Sequence, residues 1–153
     1  MADAIELEWR RKTFTETIAG DSAVQALVSS PYVKSRYPTG TTISALIVVG
    51  ESPGAEGRYG WRGGVIDRYT VDVFVNASAG GNLQEKADRI TTAIDAALTQ
   101  TKLEAALAAL DTPQPNITAT AKIATPWQDV DEPSPEGQQH RSADFEVEFC
   151  STT

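Results

Sequence analysis

Three stretches of the chain alternate apolar and polar residues with the two-residue period of a half-buried strand. In Arg68 to Val75, Tyr69, Val71, Val73 and Val75 fall on one face, and Arg68, Thr70, Asp72 and Phe74 on the other. In Ala143 to Cys150, Phe145, Val147 and Phe149 oppose Asp144, Glu146 and Glu148. Ile117 to Ala124 sets Ile117, Ala119, Ala121 and Ile123 against Thr118, Thr120 and Lys122. A β-branched run from Ile43 to Val49 is too short for an independent helix and predicts a buried strand.

Elsewhere the period is helical. Ala4 to Thr17 predicts an amphipathic helix whose stripe, Leu7, Phe14 and Ile18, recurs at spacings of seven and four. Gly20-Asp21-Ser22 interrupts it, and Asp21 can cap a second short turn carrying Val24, Leu27 and Val28. Ala87, Ile90, Ile94 and Leu98 form the clearest stripe, with Glu85, Lys86, Asp88, Arg89 and Asp95 mainly opposite. Asn82 and Glu85 resemble a capping box at its start, and Thr101 with Glu104 predicts a second box, opening a helix with Leu103, Leu107 and Leu110 inward. Pro113 and Pro115 end it.

Three segments lack a core pattern. Ser29 to Thr42 contains Pro31 and Pro38 and is expected to be a loop or edge segment. Long loops are expected at about 51–66, rich in glycine, and about 125–139, where Pro126, Pro133, Pro135 and Gly137 suggest a hairpin connection. The element order is helix, strand, strand, helix pair, strand, strand. It predicts one α+β domain over 1–153, with a mostly antiparallel sheet of about four strands and helices packed on one face. The other face would be wet and net acidic, with Asp72, Asp144, Glu146 and Glu148 relieved by Arg68 and Lys122.

Composition changes the functional picture more than the structural one. With 153 residues and 41% apolar content the chain can bury a core without metal or disulfide staples. Its 13 Lys and Arg against 21 Asp and Glu leave a charge of −8, the wrong sign for a protein that gains affinity by neutralising phosphates. No apolar run approaches the roughly 20 residues needed to cross a bilayer. The acidic amino terminus is unlike a signal peptide, so folding in the cytoplasm is expected.

Catalytic and metal patterns are sparse. His140 and Cys150 are each the sole residue of their type, so no zinc motif can be assembled. At opposite ends of one predicted strand they lie roughly 33 Å apart, too far for a thiolate–imidazole pair. His140, Arg141, Ser142 and Asp144 lack a nucleophile elbow and are expected to be a polar strand start. Glu146 and Glu148, about 6.6 Å apart at the backbone, have a spacing a glycosidase could use, but exposed alternation explains them equally well. Between Gly54 and Gly64 the glycines follow neither phosphate-binding order and precede a strand. Arg58, Tyr59, Trp61 and Arg62 in that loop are the types enriched at interface anchors, and with Trp127 they are the candidate subunit or partner contacts.

The helical start, the strand Ile43 to Gly50, the run Asp67-Arg68-Tyr69-Thr70-Val71-Asp72-Val73-Phe74-Val75 leading through Asn76-Ala77-Ser78-Ala79-Gly80 into the helix Glu85 to Leu98, and the closing Gln138 to Val147 resemble the tail-terminator, or tail-completion, proteins of long-tailed phages. The resemblance covers nearly the whole chain in order of elements. It implies a non-enzymatic virion subunit, assembled in the host cytoplasm, that forms a six-membered ring in the neck, caps the tail tube, ends its polymerisation and joins it to the head connector. Its implied partners are further copies of itself, the tail tube protein and a connector or stopper protein. Double-stranded DNA would pass through transiently; no membrane and no cofactor are implied. The sequence departs from that family in its Gly-Trp-Arg loop and its Pro-rich loop. In such a ring an acidic face of Asp72, Asp144, Glu146 and Glu148, if turned to the channel, would repel DNA phosphates. Two alternatives stand beside it: another neck component such as a stopper or connector, and a small acidic enzyme or ligand-binding domain, which a deep pocket holding a carboxylate of raised pKa would mark.

Overall fold

The computed structural model describes residues 2–28, 33–34, 45–51, 58–59, 64–76, 81–130 and 138–152. In chain order the elements are α1 (Ala2–Ala19), α2 (Ser22–Leu27), β1 (Val33–Lys34), β2 (Ala45–Glu51), β3 (Arg58–Tyr59), β4 (Val65–Asn76), α3 (Leu83–Ala97), α4 (Gln100–Ala108), β5 (Ile117–Asp129) and β6 (Gln138–Ser151). The four long strands stand in the order β2-β4-β6-β5, each antiparallel to its neighbours. Two short strands extend the sheet: β1 runs parallel beside β2, and β3 pairs with the start of β4. This is the α+β architecture expected from the alternation pattern.

The period-two pattern decides which face is covered. Along β4, Tyr69, Val71, Val73 and Val75 are buried, and they stand opposite Phe145, Ala143, Arg141 and Gln139 of β6. Helix α3 packs over β4 and β6, while α4 packs over β5 and against α1. An aromatic seam joins α1 to the sheet. Phe14 stacks on Tyr69 with centroids 4.4 Å apart, and Trp9 meets Phe149 edge-on at 5.5 Å. Ile18, Val24, Val28, Ile90, Ile94, Leu103 and Leu107 complete a shared core.

Helix starts follow capping chemistry. The Asp21 carboxylate accepts from the Ala23 and Val24 amides, and Asn82 accepts from the Glu85 amide. Helix α4 is capped by Thr99, which accepts from the Lys102 amide, and not by Thr101 as expected. Either threonine could cap, and Thr99 is the one that leaves the shorter break after buried Leu98. Of the apolar residues in the turn that Asp21 caps, Val24 and Val28 are buried, while Leu27 is 38% exposed.

The strands exceed their expected bounds. Strand β4 begins at Val65, and β5 runs through Pro126 to Asp129, well into the stretch expected as a hairpin connection; β6 then begins at Gln138. Proline is tolerated there because β5 is an edge strand, with register shifts between Ile123 and Thr125 and between Thr125 and Gln128. The remainder of that loop, and most of the glycine-rich loop and of Ser29 to Thr42, lie outside the described residues.

Ion pairs made by two buried arginines tie the elements together. Arg10 Nε donates to Asp67 Oδ2 at 2.6 Å, joining α1 to β4. Arg141 of β6 bonds Asp88 of α3 and, at 2.9 Å, Asp129 of β5. Burial opposes the Arg141 charge, but these two carboxylates outweigh it and raise its pKa. No described helix is long and apolar enough to cross a membrane.

Candidate functional site

The sheet face turned away from α3 and α4 gathers most of the chemistry. On β6 this face carries His140, Ser142, Asp144, Glu146 and Glu148, which pair respectively with Phe74, Asp72, Thr70, Arg68 and Ile66 of β4. Beyond β6, Thr120 stands opposite Glu148 and Lys122 opposite Glu146. The four carboxylates expected on one face are therefore together, and so are both cations.

They form a paired lattice more than a bare acidic surface. Arg68 Nη2 donates to Asp144 Oδ2 at 3.0 Å and to Thr125 Oγ1 at 3.1 Å, while Thr70 Oγ1 donates to Asp144 Oδ1 at 2.6 Å. Lys122 Nζ lies 3.6 Å from Glu146 Oε2. His140 Nε2 lies 2.8 Å from Asp72 Oδ1, and its ring stacks on Phe74 with centroids 4.0 Å apart. Glu148 has no ion-pair partner among the described residues.

His140 is the member that sequence reasoning missed. Expected as part of a polar strand start, it is buried against an aromatic ring and bonded to Asp72. Its parity with Ser142 and Asp144 was legible, but its position opposite Phe74 depends on a register that the sequence alone does not set.

The anchor residues are distributed differently. Arg58 and Tyr59 form β3, with backbones opposite Ile66 and Val65. Trp61 and Arg62 lie outside the described residues. Trp127 is half-buried and engaged within the chain. Its Nε1 donates to Asp95 Oδ1 of α3 at 2.9 Å, and its ring meets Phe145 edge-on at 5.9 Å.

Shallow grooves are found among the described residues. One of about 210 Å³ lies on the acidic face among Ile66, Thr120, Lys122, Glu146 and Glu148. Another of about 200 Å³ lies between α1 and the turn after α4, lined by Trp9, Lys12, Leu110 and Asp111. Both are smaller than the roughly 300–1,000 Å³ common for small-molecule sites. Among the described residues no group of three or more His, Cys, Asp or Glu is placed to hold a metal ion.

No family model matches the sequence, and no curated protein matches it. Solved structures do share its fold. A chain of the "Virion of native gene transfer agent (GTA) particle" aligns with a TM-score of 0.51 at 11% identity, covering 89% of this chain and 90% of the other. A second solved structure aligns with a TM-score of 0.53 at 9% identity, covering 94% and 95%. Identity this low establishes a common fold, and the coverage shows that the likeness extends through nearly all of both chains.

Proposed function

We propose that this chain is a structural protein of a phage-type virion. It assembles into a six-membered ring in the neck, caps the tail tube, ends its polymerisation and joins the tail to the head connector. The observation that carries this reading is the nearly end-to-end fold likeness to a chain of a gene transfer agent virion. The order of elements, which resembles that of tail terminators, adds the finer assignment.

The architecture suits the role. Among the described residues the helices cover one sheet face and not the other, which would line a channel with Asp72, Asp144, Glu146 and Glu148 and present no basic track to passing DNA. Arg58, Tyr59, Trp61, Arg62 and Trp127 are the proposed subunit or partner contacts. Trp127 reaches a neighbour through whatever part of its ring Phe145 and Asp95 leave open.

Light scattering tests the proposal, on the protein alone and then mixed with isolated tail tubes. A mass of six subunits, alone or only with tube ends present, is the expected result. A strict monomer indifferent to tubes would overturn it. Docking to DNA-filled heads in preference to tubes would point instead to a stopper or connector.

A further inference from the structure

The sheet ends on one side at β5, and its backbone is left open there in a regular way. The Thr152 amide donates to the Asn116 carbonyl at 2.8 Å, so these two form a hydrogen-bonded pair of the antiparallel ladder. By the alternation of such a ladder, Thr118, Thr120 and Lys122 turn their N–H and C=O groups toward β6, opposite Cys150, Glu148 and Glu146. Ile117, Ala119, Ala121 and Ile123 turn theirs outward. No hydrogen bond from a described residue reaches those outward groups.

The open stretch has sharp limits. Pro115 precedes it, and the register shifts and Pro126 follow it; such features keep a neighbouring strand from extending the sheet. Between those limits the only charged residue is Lys122, and Ile123 is 43% exposed. Residues 117–123 spell Ile-Thr-Ala-Thr-Ala-Lys-Ile, which reads the same in both directions about Thr120 except for Thr118 and Lys122.

We infer that β5 is a self-pairing edge, by which two copies of the free protein join antiparallel about a twofold axis at Thr120. Ile117 then lies opposite the partner's Ile123, Ala119 opposite the partner's Ala121, and Thr118 opposite the partner's Lys122. The parity is the required one. Residues whose backbone groups face outward meet residues of the same kind, giving about eight inter-chain hydrogen bonds. Ile117, Ala119, Ala121 and Ile123 share the helix-side face, so the pairing also covers Ile123. A contact of this symmetry uses both edges at once and stops at two copies.

The inference does not rest on the ring proposal. A ring about one sixfold axis has head-to-tail contacts, so this pair is a separate state of the unassembled protein that withdraws its open edge from other chains.

A designed disulfide tests it. Thr120 would face its own copy in a non-hydrogen-bonded pair, with Cα atoms about 4.5 Å apart, within disulfide reach. Thr120→Cys should give a covalent dimer on mild oxidation, above the background that Cys150 gives in the unmodified chain. Thr118→Cys should stay at that background alone and link only when mixed with Lys122→Cys. Light scattering should give the unmodified protein twice its 16.4 kDa chain mass. Ile123→Lys, at an exposed position that leaves the core intact, should weaken the dimer roughly tenfold or more.

A monomer, or Thr120→Cys linking no better than Thr118→Cys, overturns the inference. A sixfold mass without the Thr120→Cys link overturns it while supporting the ring. A linked dimer whose unmodified parent never forms rings at tube ends supports it and overturns the ring.

Discussion

Replacing Arg10 with Met while Asp67 remains should be among the most damaging single charge changes in this fold. The two side chains are 9% and 5% exposed. Asp67 lies on the helix-side face of β4 opposite Val147, where it accepts from Arg10 Nε at 2.6 Å and more weakly from Arg10 Nη2 and the Tyr69 hydroxyl, each at 3.4 Å. Met keeps an unbranched apolar stem but supplies no donor. Asp67 would then be a buried carboxylate held by one long hydroxyl bond, and stranding a buried charge costs about 3–5 kcal/mol. At about 2–4 °C per kcal/mol for a chain of this size, Tm should fall by roughly 6–20 °C.

The companion variant separates the stranded charge from lost packing. Arg10→Met with Asp67→Leu removes both charges, and replacing a buried pair by apolar residues is often neutral or stabilising by about 1–4 kcal/mol. Urea unfolding followed by circular dichroism should therefore place the double variant well above the single one. Arg89→Met, which breaks an exposed pair with Glu85, sets the surface scale at about 0.2–1 kcal/mol. The reasoning is refuted if Arg10→Met falls on that surface scale, or if the double variant is as unstable as the single.

Three further perturbations probe other joints. Burial alone would raise the Asp21 carboxyl, but the bonds from Lys102, Val24 and Ala23 hold it below its ordinary 3.8. Its stabilising effect is thus present above about pH 4 and lost as pH falls through the lowered value, so the gap between wild type and Asp21→Asn should close on acidification; a gap that widens would contradict this. A Cβ at Gly64 would come within 2.5 Å of both the Cys150 sulfur and the Phe149 carbonyl oxygen, so Gly64→Ala should cost about 1–3 kcal/mol, and an unchanged urea midpoint would count against so close an approach. Trp127→Phe keeps the ring contact with Phe145 but deletes the Asp95 bond, and a loss of about 0.5–1.5 kcal/mol in thermal unfolding is expected.

What was legible in the sequence follows from which forces act locally. Strands β4 and β6 could be read because a sheet covered on one side imposes period two on every residue, and α3 because its stripe and Asn82 cap are local signals. Strand β5 was foreshortened because Pro126 reads as a stop, and only its place at the sheet edge makes proline tolerable. The fastenings Arg10–Asp67 and Arg141–Asp88 were not legible, since each joins elements more than fifty residues apart in the chain and exists only once the strands are in register. The same holds at the candidate site. The four carboxylates could be assigned to one face by parity, but the pairing of Asp72 with His140 needed the alignment of β4 with β6.

That pairing shapes how the acidic face would act in the proposed ring. Asp144 and Glu146 sit beside Arg68 and Lys122, so much of their field cancels within a few ångströms, and Asp72 is tied to His140. Paired charges project little beyond the Debye length of about 8 Å at physiological salt. Glu148, without an ion-pair partner among the described residues, is the carboxylate whose field is least compensated locally. Changing it to Lys leaves three carboxylates against three cations on the face, without dismantling an ion pair. If this face lines the channel, rings of Glu148→Lys should retain double-stranded DNA at low salt and release it as salt rises, whereas wild-type rings should not retain it. No retention by either, measured by gel shift across a salt series, would place the face away from the DNA path and leave repulsion to the overall charge of −8 per copy, multiplied sixfold around the ring.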